Sequence, residues 1–305
     1  MTDSWNISFG HYRAQVREYG GGLNFLTFQG RDLVEPYSGV TLPERFKGDL
    51  LAPWPNRIRD GRYQIDGSIY HLELNEENRR TALHGLVNTG KWEKQEQSES
   101  EISLSFNLKS SAGYPSELIF TITYSLSDAG LKIGLTALNI GDMRAPYGAS
   151  IHPYLIANSQ TKVDEWILKM PAAEYMEVDK ERLLPTGVES CVGTSFDFKK
   201  GKAIGGVVID HAFMIDSQNS DKRIEITDTK GNGVWMTFDE ESHWIQIHTA
   251  DRDFGPDARR SLAVEPMTCP PDAYNTEVDL IWLERHERHA MEWQIGALEE
   301  GEIAR

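Results

Sequence analysis

Cysteine is scarce in this chain: its 305 residues include two, Cys191 and Cys269, without the spacing of a metal knuckle or a redox pair. So large a chain does not depend on a single staple, and both are expected as thiols in a reducing compartment. An excess of positive charge is also missing. With 31 Lys and Arg against 47 Asp and Glu, the formal net charge is −16, the wrong sign for nucleic acid or an anionic membrane surface. No apolar run approaches the length of a membrane span. The opening Met-Thr-Asp-Ser-Trp-Asn has neither the basic region nor the apolar core of a secretory signal. The expectation is a cytoplasmic protein, monomeric or a homodimer, that acts on a neutral or weakly charged small molecule.

Amphipathic helices are nearly absent too. The most helical stretch, 278–293, contains Leu-Ile-Trp-Leu-Glu-Arg-His-Glu-Arg-His and is read as a charged loop, 284–288, feeding a last strand at 289–295. What the sequence has instead is alternation with period two. Glu101–Leu108 is a clean example, and 117–126 and 130–139 follow it as a meander. Strands are further predicted at 163–170, 207–215, 223–228, 234–238, 244–249 and 262–264. Asp66-Gly67 marks a hairpin turn. The segment 35–58 carries Pro36, Pro43, Pro53 and Pro55, too many for a regular element, and long loops of this kind usually carry function. The apolar fraction of 39%, with 8 Trp, 11 Tyr and 11 Phe, is enough for a large core. No composition shift, repeat or linker divides residues 1–305. One large all-β, antiparallel sandwich-like domain is expected.

Candidate chemistry gathers around Ser261-Leu-Ala-Val-Glu265-Pro266. An apolar run leads into a carboxylate and then a proline, which places Glu265 where a buried strand stops pairing and turns. Burial there raises its pKa towards a value useful for proton transfer near neutrality; the plainer reading is a carboxylate bonded to backbone amides. His152 precedes Pro153 in the same way. His84 precedes Gly85, a residue that lets a backbone or ligand approach closely. His248 ends an apolar strand, Arg57 lies in the Pro-rich segment with a fork suited to hydroxyls or carboxylates, and Asp210 ends the run Gly-Val-Val-Ile. Taken singly, each histidine is more often a hydrogen-bonded core residue. No metal site is expected: His243 and His248 fall on opposite faces of a strand, and His286 and His289 lie in a solvated loop. Neither a phosphate-cradling Gly-rich loop before a helix nor a Gly-x-Ser-x-Gly elbow occurs. Acid–base chemistry without a cofactor remains.

In order along the chain, Asn56-Arg57-Ile58, Gly61 with Gly67 and Tyr70, Asn75-Glu76, Leu83-His84-Gly85, His152-Pro153-Tyr154, Asp210 with Phe213 and Val264-Glu265-Pro266 resemble the aldose 1-epimerase (galactose mutarotase) family. The runs Trp-Pro-Asn-Arg-Ile and Glu-Pro-Met-Thr-Cys-Pro-Pro-Asp-Ala-Tyr-Asn look more like its bacterial subgroup around sulfosugar and uncharacterised mutarotases. The resemblance implies a β-supersandwich and interconversion of the anomers of a free aldose. It implies Glu265 as general base at the anomeric hydroxyl and His152 as general acid at the ring oxygen. His84 would bond near that oxygen, with Arg57 and Asp210 on ring hydroxyls. Trp54, Trp92, Tyr154 and Phe213 are candidates to stack on the apolar face of a pyranose, core packing being the more common fate of such side chains. Two departures from the galactose enzymes stand out: Leu86 replaces a glycine, and Glu284–Arg288 replaces a Pro-Gly turn. A non-catalytic sugar-binding protein of the same fold is the competing class. A hexose-6-phosphate epimerase, using Arg59, Arg62, Arg79 and Arg80, is a third, and a metal-dependent β-barrel enzyme ranks last.

Overall fold

The computed structural model describes residues 4–37, 44–216, 222–251 and 258–301. Period-two alternation becomes antiparallel sheet throughout. A nine-stranded sheet runs in the order Glu93–Gln97, Glu101–Leu108, Leu118–Ser127, Gly130–Asn139, Arg288–Leu298, Gly233–Phe238, Arg223–Thr227, Ile167–Lys169 and Lys202–Ala203. A second sheet runs Pro185–Ser190, Ala172–Val178, Asp210–Ile215, Trp244–His248, Leu262–Met267, Ser150–Ile151 and Leu50–Leu51, with Tyr154–Leu155 also on the Leu262–Met267 strand. Among the described residues the one α-helix is the single turn Ala273–Thr276. Among the described residues no helix is long and apolar enough to cross a membrane.

Parity decides which side chains of the second sheet meet the core. Ile245, Ile247, Leu262, Val264 and Phe213 join an apolar cluster that also holds Ile122, Leu135 and Ile295 of the first sheet. The residues between them, Gln246, His248, Glu265 and Asp210, turn to the opposite face, because successive side chains of a strand alternate. That face carries the cleft.

Three local expectations are corrected. The 262–264 strand does not end at Glu265: it runs to Met267, with Glu265 opposite Gln246 and Pro266 opposite Ile245. Pro266 is tolerated because the strand's other edge is interrupted there. Ser150 pairs with Met267 and Tyr154 with Ala263, while the intervening His152-Pro153 leaves 264–266 without a strand partner, so the missing N–H breaks no ladder. The 163–170 stretch opens as the 3-10 turn Val163–Glu165 before the strand Ile167–Lys169. The 207–215 strand begins only at Asp210. Arg288–Leu298 is the expected last strand, lengthened at both ends.

Candidate active site

Each side of the cleft is set by short-range chemistry. Asn75 spans the strand Thr81–Leu83 like a rung: its Oδ1 accepts from the Leu83 amide at 2.7 Å and its Nδ2 donates to the Leu83 carbonyl at 2.9 Å. The strand Arg57–Arg59 pairs with it, Arg57 opposite Leu83. Next comes His84 at φ +65°. A Cβ on Gly85 (φ +76°) would sit 2.1 Å from the Ala52 carbonyl oxygen, so the turn that presents His84 requires glycine, as expected. His84 donates its amide to the Asn56 carbonyl at 2.9 Å, and its Nδ1 accepts the Asn56 amide at 3.2 Å. A backbone N–H can only donate, so the neutral ring carries its proton on Nε2.

Arg57 is nearly buried and forks onto Glu76: Nε donates to Oε2 at 2.8 Å and Nη2 to Oε1 at 3.1 Å. Glu76 also accepts from Arg79 and Thr81, each at 2.7 Å. Burial alone would lower the Arg57 pKa. The Glu76 hydrogen bond and the charges of Asp210 and Glu76 outweigh it and hold the guanidinium above its ordinary value.

On the sheet itself, Nε2 of His152 stands 3.2 Å from Oε1 of Glu265. The His152 ring stacks on Tyr154 at 5.0 Å and meets His84 edge-on at 5.3 Å. Burial, reinforced by Asp210 and opposed by Arg57, pushes the Glu265 carboxyl well above the carboxylate range. Burial and neighbouring His248 push His152 down to about 3. His84 is likewise held far below its ordinary value by burial, His152 and Arg57. Glu265 Oε2, His152 Nδ1, Gln246 Oε1 and His248 Nδ1 are buried without a hydrogen-bond partner. Gln246 Nε2 donates to Asp210 Oδ1 at 2.9 Å, and His248 Nδ1 lies 3.9 Å from Asp210 Oδ2.

Glu265, His152, Arg57, His84 and Asp210 therefore line a single cleft of about 210 Å³, with His248 and Tyr154. The plainer reading of Glu265 fails, because its Oε2 meets no amide. Trp54, Trp92 and Phe213 do not reach the cleft: all three are core residues, 3%, 0% and 0% exposed. Leu86 also packs against the core, away from the cleft lining. Of the arginine cluster, Arg59 pairs with Asp272, Arg79 with Glu76 and Arg80 with Asp60, and none of them lines the cleft. Phe46, Arg45 and Gln246 line it and were not singled out. For Gln246 the signal was present, since Gln-Ile-His puts it on the face of His248.

His84, His152 and Glu265 each offer a ligand atom within 4.8 Å of the others, a spacing a divalent metal could use. The donor set does not fit. A ligating histidine gives its second ring N–H to an acceptor, whereas His84 Nδ1 accepts a hydrogen bond from the Asn56 amide and its Nε2 carries the ring proton.

An antiparallel β-sandwich whose second large sheet carries buried acid–base groups defines the class, a galactose mutarotase-like isomerase. The aldose 1-epimerase family profile matches residues 3–296, and the chain belongs to that family. It is 35% identical over 291 residues to the Escherichia coli K12 protein described as uncharacterized protein YihR, covering 95% of this chain and 92% of that one. The aldose 1-epimerase of the same organism is 26% identical over 195 residues, 59% of this chain and 56% of its own length. In three dimensions the GalM/aldose epimerase homologue from C. elegans superposes with a TM-score of 0.86 at 21% identity, covering 97% of this chain and 99% of that one. The galactose 1-epimerase of Lactobacillus acidophilus superposes at 0.78 and 16% identity, over 97% and 99%.

Proposed function

We propose that this protein interconverts the α and β anomers of a free aldose by acid–base ring opening, with Glu265 and His152 as the proton-transfer pair. The carrying observation is their 3.2 Å separation. Ring opening takes a proton from the anomeric hydroxyl and gives one to the ring oxygen, and both oxygens sit on the same carbon. Acid and base must therefore stand side by side.

The pair holds one proton between its two members, as a carboxylic acid beside a neutral imidazole or as a carboxylate beside an imidazolium. Burial favours the first arrangement in the empty cleft. A bound sugar reverses the preference: its anomeric hydroxyl donates to Glu265 and its ring oxygen accepts from His152, each stabilising the charged form of its partner. Glu265 is then the base and His152 the acid. Rotation about the C1–C2 bond of the open chain, followed by the reverse transfers, closes the ring on the other face. His84 Nε2–H donates near the ring oxygen, and Arg57 and Asp210 hold ring hydroxyls. A cleft of about 210 Å³ is smaller than the roughly 300–1,000 Å³ of sites for drug-sized ligands, which fits one sugar ring.

Polarimetry on freshly dissolved α-glucose, α-galactose and sulfosugars, comparing the wild type with Glu265→Gln, tests this. Acceleration by the wild type and its loss in the variant are expected. Equal rates for the two proteins on every aldose end the proposal, and tight sugar binding by calorimetry without acceleration would make this a binding protein instead.

A further inference from the structure

The tripeptide Val-Glu-Pro of 264–266 also stands at 34–36, and its glutamate lies close to the same cleft. Glu35 donates its amide to the Tyr154 carbonyl at 2.7 Å. One oxygen of its carboxylate, Oε1, accepts from Lys47 Nζ and, at 3.2 Å, from Arg45 Nη2. Its other oxygen, Oε2, accepts from Ser261 Oγ, four residues ahead of Glu265. Glu35 thus links three segments: its amide bonds to Tyr154, and its carboxylate ties Arg45 and Lys47 of the turn 44–47 to Ser261, just before the strand that carries Glu265.

That turn roofs the cleft. The Phe46 ring lies 4.6 Å from that of His84 and 6.4 Å from that of His152, and the Arg45 guanidinium lies 5.2 Å above Tyr154. Arg45 and Phe46 both adopt left-handed backbone, at φ +61° and +55°. Two successive non-glycine residues in that region are strained and persist only where surrounding contacts enforce them. At the base those contacts are Gly48, whose amide donates to the His152 carbonyl at 2.8 Å, and the buried Arg17–Asp49 pair. At the top they are the bonds of Glu35.

We propose that Glu35 is a positioning residue: it holds Arg45 and Phe46 down over His84 and His152 and so sets the affinity of the cleft for its sugar. This deepens the mutarotase reading and rests on it for the sugar alone. The placement of Phe46 against the histidines is a property of the free protein. Lys47 does not line the cleft, so changing it tests the tie without touching the lining.

The test combines Glu35→Gln, Lys47→Gln and Lys47→Arg with two measurements. The first is NMR of the imidazole C–H signals of His84 and His152 without sugar, which report the Phe46 ring. The second is KM and kcat on the aldose the wild type turns over best. In Glu35→Gln the histidine signals should move and KM should rise about tenfold, with kcat within about twofold, as expected for lost binding that is uniform along the reaction. Lys47→Gln should do the same to a smaller extent, and Lys47→Arg should restore both. Wild-type histidine signals in Glu35→Gln, or in Lys47→Gln should the first variant not fold, overturn the proposal. So does a drop in melting temperature with signals and KM unchanged. A wild type inactive on every aldose would end the mutarotase reading, while the histidine signals would still decide the role of Glu35.

Discussion

Glu265 and His152, 3.2 Å apart and 2% and 6% exposed at their side chains, have exchanged the usual order of their acidities: the carboxyl is pushed up and the imidazole is pushed down to about 3. Surface groups of these types ordinarily titrate near 4.3 and 6.5. Both shifts favour the uncharged pair, a carboxylic acid beside a neutral imidazole, which carries the one proton that the proposed reaction passes on.

Replacing Glu265 by Gln keeps the shape and removes the carboxylate proposed as the base. A positioned acid–base group contributes about 10²–10⁴ in rate, so kcat should fall by about that factor in polarimetric assays while the far-UV spectrum and sugar binding persist. A variant within threefold of wild type would remove Glu265 from the chemistry.

Arg57→Lys keeps the charge and loses the fork. The bidentate contact to Glu76 cannot be made by an ammonium, so the side chain should no longer be held towards the cleft. KM should rise about tenfold with a smaller change in kcat. An unchanged KM would confine Arg57 to a structural partnership with Glu76.

Gly85→Ala tests the backbone behind His84. The added Cβ meets the Ala52 carbonyl oxygen at 2.1 Å, at a φ of +76°, and neither the backbone atom nor the torsion can yield without moving the turn. A loss of about 3 kcal/mol or more is expected by denaturant titration. A change under about 1 kcal/mol would mean that the turn relaxes freely.

Much of this was legible in the sequence because strands alternate. Gly130–Asn139 and Glu101–Leu108 fall where the period-two pattern put them. Glu265, His152, Arg57, His84 and Asp210, which line one cleft, were legible instead from their local motifs and the family resemblance. The failures share a cause. Pro266 reads as a terminator because a single chain does not reveal that the neighbouring edge is already broken at His152-Pro153. Phe46 gives no signal in the sequence, because the approach of its ring to those of His84 and His152, 4.6 and 6.4 Å away, brings together residues distant in sequence. Periodicity reports faces; it does not report which loops fold over them.

Chelation should leave the rate unchanged. His84 offers an Nε2–H rather than a lone pair, as its bond from Asn56 dictates, so dialysis against a strong chelator is expected to leave mutarotation within error of the untreated enzyme. A loss restored by a divalent ion would mean that the His84 ring reverses its tautomer and that the Asn56 contact is broken.

The inverted acidities also fix how stability changes with pH. The Glu265 carboxyl titrates above its unfolded value in the folded chain, so its contribution is full below the unfolded pKa of about 4.3 and is lost as pH rises towards the folded pKa. Over that window the unfolded chain releases a proton that the folded chain keeps, at a cost of up to ~1.4 kcal/mol per pH unit. His152 acts in the opposite direction: its folded value of about 3 lies below the unfolded one. Its contribution is full above about 6.5 and declines as pH falls towards 3. Glu265→Gln removes the first dependence and leaves the second. The melting temperature of the variant should therefore gain on that of wild type progressively as pH rises above about 4.3, with no further change in their difference below it. A difference that stays flat across that range, measured by calorimetry in matched buffers, would mean that Glu265 is ionised in the folded protein and that the proton of the pair resides on His152 even without sugar.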